Sequence, residues 1–316
     1  MIAKMKSIFF RVCILSLSGS VISSCSEEVK SIPEFNPPRA FEYLMKQVEF
    51  GPRVPGTEAW KNCRAYYVEH FKSLGLKVDS QAFEFLDPFS ARQIPLVNVI
   101  AKIEGESSKE LGILLMAHYD SRPRTDFPSN PEMANQPISG ANDGASGAAV
   151  LMEMANHLSQ NKPPYNIELV LVDGEDWGET GDNDYYLLGS REFARGGIRN
   201  KYQFAIVIDL VGDSDQQIYR EVFSQDFHPE LNNLVWNTAR ELGVTTFIDS
   251  TVHMVLDDHA SLATSGVPAI DIIDFDYKYW HTDSDLVGKC SAQSLGNVGK
   301  VLLHICYNPS IWPKKK

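Results

Sequence analysis

Ile167-Glu168-Leu169-Val170-Leu171-Val172-Asp173-Gly174-Glu175-Asp176-Trp177 is the stretch whose reading decides the fold. Its nearly unbroken Ile, Leu and Val content is what a strand covered on both faces requires. The run then stops at a glycine followed by two adjacent carboxylates. Neighbours on a regular strand face opposite sides, but a turn beyond the strand's carboxyl end aims both into one crevice. One can then hold a metal while the other moves protons. Taken alone, Glu175 and Asp176 read equally well as a solvated acidic loop, so the surroundings must decide.

Similar apolar runs occupy residues 111–116, 204–211 and 267–273, and residues 77–85 and 96–103 alternate as strands do. Helical periodicity covers residues 39–48, 58–74, 144–158, 229–242 and 292–306, with a shorter pattern around Ser190. This alternation predicts an α/β fold: a single domain with a doubly wound, mostly parallel sheet and helices on both faces. Ligands bind such sheets beyond the carboxyl ends of the strands. Residues 122–140 hold five Pro or Gly and read as a long loop bordering a pocket.

The chain has 316 residues and a formal net charge of -12, with no basic stripe to neutralise phosphates, which argues against a nucleic-acid partner. Residues 1–24 read as an export signal: Lys4 and Lys6, then an apolar segment interrupted by Arg11, then Val21-Ile22-Ser23-Ser24 before Cys25. The pattern looks like a bacterial lipoprotein signal cut before Cys25, whose thiol then carries the lipid. An ordinary secretory signal cut nearby fits as well, and both export the protein. We therefore expect residues 25–38 to be a tether, residues 39–316 to be the domain, and the protein to be anchored to the bacterial envelope, at the outer membrane. Cys63, Cys290 and Cys306 remain after Cys13 and Cys25; they include no Cys-x-x-Cys spacing and read as packing residues, with one disulfide possible but not assignable.

Groups that a hard or borderline cation accepts recur at the strand ends. His118 and Asp120 follow the first buried run, and Asp143 precedes a helix. Asp209 lies within the third run, Asp257-Asp258-His259 precede the fourth, and Trp280-His281 follow it. Singly, Asp143 is a helix cap, His118 a core histidine and Asp258 a cap for the short helix carrying Leu262. Asp209 resists such a reading, because a carboxylate inside an apolar strand costs several kcal/mol unless it is paired or bound. Zinc takes His nitrogen and carboxylate oxygen, and a catalytic site leaves one position open.

The ordered set resembles a known family. His118-Tyr119-Asp120, Gly140-Ala141-Asn142-Asp143-Gly144-Ala145-Ser146-Gly147, Asp173-Gly174-Glu175-Asp176, Gly189-Ser190-Arg191, Asp209-Leu210-Val211-Gly212, Asp257-Asp258-His259 and Trp280-His281-Thr282 follow the order seen in zinc-dependent aminopeptidases and glutaminyl-peptide cyclotransferases. Phe50-Gly51-Pro52-Arg53 and Pro55-Gly56 resemble that family's approach to its first helices. The resemblance implies Asp143, Asp176 and His281 as zinc ligands and Glu175 as general acid/base. Asp176 stands where many relatives have Glu. His118 and Asp209, with Asp120 beside them, match positions that hold or orient a second metal in the aminopeptidases.

Trp280 before His281, the Asp257-Asp258 doublet and Asp209-Leu210-Val211-Gly212 tip the resemblance toward the cyclases. It then implies one zinc and conversion of N-terminal glutamine of peptides or proteins to pyroglutamate with release of ammonia. Asp258 and Asp209 would raise the pKa of Glu175, and Trp280 and Trp177 would wall the substrate pocket. The alternative is a two-zinc aminopeptidase. A third reading, a non-catalytic peptide-binding lipoprotein, would show missing ligands, and every expected position is filled.

Overall fold

The computed structural model describes residues 32–107, 112–179 and 181–314. The signal, Cys25 and most of the expected tether lie outside these residues. Two helices open the described chain, α1 (Pro37–Glu49) and α2 (Glu58–Ser73), followed by strands β1 (Lys77–Leu86), β2 (Gln93–Ile103) and β3 (Gly112–His118). Then come α3 (Ala145–Gln160), β4 (Ile167–Val172), α4 (Leu188–Arg195) and β5 (Tyr202–Asp209). The remainder is β6 (Ile218–Arg220), α5 (Val222–Phe227), α6 (Pro229–Glu241), β7 (Phe247–Thr251), α7 (Asp258–Thr264), β8 (Ala269–Ile273) and α8 (Ala292–Tyr307).

Six strands form one sheet in the order β1-β2-β4-β3-β5-β8, and β6 and β7 form a separate parallel pair. β4, β3, β5 and β8 are parallel, while β1 and β2 add an antiparallel edge. Side chains alternate between two cores, as a sheet covered on both faces requires. Ile113, Leu115, Leu169, Leu171, Ile206 and Ile270 pack with α1, α2, α3, α6 and α8. Leu114, Met116, Val170, Val172, Ala205 and Val207 pack with Phe193 of α4 and Leu262 of α7.

The packed domain begins before the expected boundary at residue 39. Phe35 is 5% exposed within the main core, Ile32 packs against it, and Asn36 caps α1 by accepting from the Arg39 N–H at 3.1 Å. Gly299 of α8 makes room for this anchor, since a Cβ there would lie 2.2 Å from the Phe35 ring. Residues 32–38 therefore belong to the domain. Cys63, Cys290 and Cys306 are buried free thiols. No helix among the described residues is long and apolar enough to cross a membrane.

Candidate metal centre and active site

The parallel strands run in one direction, so their carboxyl ends share one edge of the sheet, and the acidic side chains converge there. β3 ends on His118, β4 leads into Asp173-Gly174-Glu175-Asp176, and β5 ends on Asp209. Gly174 lets the chain turn after β4: its φ is +67°, and a Cβ there would stand 2.7 Å from Leu96 Cδ2. Asp120 fixes the next two residues, its two oxygens accepting the N–H groups of Glu175 and Asp176 at 3.2 Å each. Of the two roles expected for Asp120, the geometry gives it orientation.

Asp143, Asp176 and His281 come together, one ligand atom from each lying within 4.8 Å of the others. His281 Nε2 is 3.2 Å from Asp176 Oδ1 and 3.9 Å from Asp143 Oδ2. Asp143 Oδ2 and Asp176 Oδ2 are buried with no hydrogen-bond partner. Buried unpartnered carboxylate oxygens beside an imidazole nitrogen are the donors a zinc ion takes, so the residues fit that ion. Burial pushes the Asp143 carboxyl up to about 7, with Asp176 and Asp209 adding to the effect and His118 opposing it. Burial works against a charged His281 ring, but Asp176, Asp126 and Asp143 lift it to about 9.

An outer layer absent from the sequence reading holds these ligands. His281 Nδ1 meets Asp126 Oδ2 at 2.8 Å, and the His281 carbonyl accepts the N–H groups of Asp126 and Phe127. Arg122, fully buried, pairs with Asp176 Oδ1 at 2.6 Å and Asp126 Oδ2 at 2.7 Å. Asp285 accepts the Asn142 and Asp143 N–H groups at 2.8 and 3.1 Å and the Tyr277 hydroxyl at 2.7 Å. Arg53 donates to the Tyr119, Ser139 and Gly140 carbonyls, tying the α1–α2 connector to the same loops. A carboxylate on the far nitrogen of a ligating histidine fixes its ring and tautomer. His281 itself has φ +56°, a left-handed conformation uncommon outside glycine, and its ring stacks on Trp280 with centroids 3.7 Å apart.

A cavity of about 240 Å³ opens on this centre, lined by Asp143, Glu175, Asp176, Asp209, Asp257, Trp280 and His281 with Met254, Leu256 and Phe275 around them. Burial raises Glu175 well above the usual carboxylate range; His118 opposes this, while Asp176, Asp257 and Asp258 add to it. His118 Nε2 lies 3.0 Å from Asp209 Oδ1 and 3.2 Å from Asp143 Oδ1, so His118, Asp143 and Asp209 make a second three-donor group sharing Asp143.

Two expected roles change. Trp177 does not line the cavity: it is buried, donates its indole N–H to Asp87 Oδ1 at 3.1 Å and packs edge-on against Phe85. Trp280 alone of the pair lines the cavity. Asp257, rather than Asp258, faces the site. Asp257 is the N-cap of α7, with extended backbone and its Oδ1 accepting from the Asp258 N–H, so its side chain departs from the helix axis. Asp258, in the first turn, is buried with neither oxygen hydrogen-bonded and does not line the cavity, and its charge adds to the upward pressure on Glu175. The doublet was visible in sequence; which member faces the cavity depends on where the helix starts.

This sheet edge, with its carboxylate and imidazole donors, is that of a zinc exopeptidase-like enzyme. The chain belongs to Peptidase family M28, whose model matches residues 98–306. Its fold matches the crystal structure of Bacteroides thetaiotaomicron glutaminyl cyclase bound to N-acetylhistamine, with TM-score 0.82, 31% identity, and coverage of 88% of this chain and 99% of that one. The glutaminyl-peptide cyclotransferase of Bothrops jararaca is 24% identical over 297 residues, covering 81% of this chain and 76% of that protein. The alkaline phosphatase isozyme conversion protein of Escherichia coli (strain K12) is 28% identical over 140 residues, which is 42% of this chain and 40% of that protein.

Proposed function

We propose that the protein is a glutaminyl-peptide cyclotransferase that converts the N-terminal glutamine of peptides or proteins to pyroglutamate, with one zinc ion held by Asp143, Asp176 and His281. The observation that carries this reading is the position of Glu175: beside the three-ligand group, in the same cavity as Trp280, with its carboxyl held well above the usual range. Bound there, zinc supplies Lewis-acid polarisation of an amide carbonyl. The chain's own residues handle the protons. The substrate α-amine attacks the side-chain amide carbon, a C–N bond forms, and Glu175 takes the proton that the amine loses. Glu175 returns that proton to the amide nitrogen as its bond to carbon breaks, and ammonia leaves. Such a shuttle works best with a pKa near the operating pH, and burial among Asp176, Asp257 and Asp258 moves Glu175 in that direction. Trp280 and Phe275 wall the cavity and can hold the glutamine side chain folded back on its amine, which makes the attack intramolecular.

One observation favours a second reading. His118, Asp143 and Asp209 form a further three-donor group, as a two-zinc aminopeptidase would need. Purified zinc-loaded protein, given a Gln-initiated peptide and separately an aminoacyl anilide, distinguishes the two. We expect ammonia from the first, no amine from the second, and one zinc per chain. Two zinc ions per chain with release of free amino acids would replace the cyclase reading with the aminopeptidase one. We further propose that residues 1–24 are removed and that a lipid on Cys25 tethers the domain to the bacterial outer membrane. Mass spectrometry of the mature amino terminus tests this, and an unmodified Cys25 would refute it.

A further inference from the structure

Behind Asp257 lies a buried layer that the proposed reaction does not use: His259, Asp271 and Glu221, which are 2%, 0% and 1% exposed. They come from α7, from β8 and from the N-cap of α5. One ligand atom from each of Asp257, His259 and Asp271 lies within 4.8 Å of the others. The His259 ring stands between two acids, with Nε2 3.4 Å from Glu221 Oε2 and Nδ1 3.7 Å from Asp271 Oδ2. Glu221 cannot move freely, since it accepts from the Phe223 and Ser224 N–H groups at 2.8 and 2.6 Å, from Ser224 Oγ at 2.8 Å and from the Val255 N–H at 3.2 Å. The Asp271 N–H donates to the same Ser224 hydroxyl at 3.1 Å.

This layer is a poor device for stability. Both Asp271 oxygens, both His259 nitrogens and Asp257 Oδ2 are buried without a well-formed hydrogen bond, and each polar atom buried unpaired is unfavourable. Replacing buried ionic groups of this kind with apolar side chains is often neutral or stabilising. Three donors this close can also bind a cation, but two features favour a different use. The ring points one nitrogen at each of two carboxylates, and of this set only Asp257 reaches the cavity.

We infer that Asp271 and His259 are positioning residues, the line from Glu221 through His259 to Asp271 fixing the direction in which Asp257 presents its carboxyl to Glu175 and Asp209. Asp257 Oδ1 accepts the Asp258 N–H of the helix cap and Oδ2 is buried without a hydrogen-bond partner, so the direction of the carboxyl is set by what packs behind it. This inference rests on the cyclase reading only for what Asp257 does in the cavity.

The test uses zinc-loaded full-length protein and compares wild type with Asp271→Leu, Asp271→Asn and His259→Gln, with rates expressed per folded, zinc-loaded chain. Ammonia release should fall about 10- to 100-fold in kcat for Asp271→Leu, as loss of alignment does. KM should stay within about twofold because the cavity wall is unchanged. Asp271→Asn, which retains a polar end of the same shape, should recover part of the loss. His259→Gln should show the same kcat-specific fall, so the test does not depend on the Leu variant folding. Wild-type kcat per zinc-loaded chain in both Asp271→Leu and His259→Gln would overturn the inference. So would loss of a second metal equivalent in these variants, which would make the layer a cation site. Should wild type cleave the anilide and release no ammonia, the cyclase reading fails, and the same kcat ratios on the anilide decide the present inference.

Discussion

Glu175 and Asp176 are consecutive, yet beyond the turn at Gly174, with both N–H groups held by Asp120, Asp176 joins Asp143 and His281 while Glu175 lines the cavity where the proposed reaction places its substrate. Two outcomes follow at this scale. Glu175→Gln keeps the shape and removes the titrating oxygen, so ammonia release should fall by about 10²–10⁴-fold, the usual worth of a positioned acid/base. Zinc content measured on the same sample should be unchanged; full activity would remove the proton-transfer role. Asp126 does not line the cavity, but its carboxylate meets the His281 ring nitrogen Nδ1 at 2.8 Å. Asp126→Asn should weaken zinc binding about 10- to 100-fold in competition with a chelator, as loss of such a partner commonly does. An unchanged affinity would show that His281 needs no such support.

The elements explain what the sequence could and could not disclose. Gly144 caps α3 with φ +88°, and a Cβ there would lie 2.4 Å from the Asp120 carbonyl oxygen and 3.0 Å from His118 Cε1. Gly144→Ala therefore combines left-handed strain with a backbone collision and should destabilise by about 1–3 kcal/mol in urea unfolding. A loss near zero would mean the α3 start can shift, and with it Asp143. Strands covered on both faces write themselves as unbroken Ile, Leu and Val, so β3, β4, β5 and β8 were legible. β6 and β7 were not: they are three and five residues long, and β7 is largely exposed after Phe247. The ligands were legible through the ordered motifs rather than through position alone: Asp143 precedes α3 and Asp176 follows β4, but His281 lies in the loop between β8 and α8. Arg122, Asp126 and Asp285 were not, because ion pairs and hydrogen bonds spanning up to 155 residues leave no period in the chain. The Asp257/Asp258 choice turned on a helix boundary, the least certain feature of any sequence reading.

For the whole molecule, acidic excess gathered at one sheet edge sets the pH behaviour. Asp274, which follows β8, is buried, and burial pushes it up to about 7, with the Gln217 N–H opposing and Asp213 adding to the effect. A carboxyl raised in the folded state contributes stability that is fully present below its ordinary pKa of 3.8 and lost as pH rises through about 7. Asp274→Asn removes that titration while its amide oxygen can still accept from Gln217. Melting curves of the metal-free variant should therefore fall less than wild type between pH 4 and pH 8, with the advantage growing as pH rises. Parallel curves for the two proteins would show that Asp274 does not titrate in this window.

The proposed chemistry depends on Asp143, Asp176 and His281, from separate loops, sharing one ion. An anomalous-scattering map at the zinc edge from crystals of zinc-loaded protein tests that dependence most directly. We predict a peak about 2.0–2.2 Å from a carboxylate oxygen of Asp143, a carboxylate oxygen of Asp176 and Nε2 of His281, with the Glu175 carboxyl nearby and unbound. No peak at this position, or a peak held by other side chains, would contradict it.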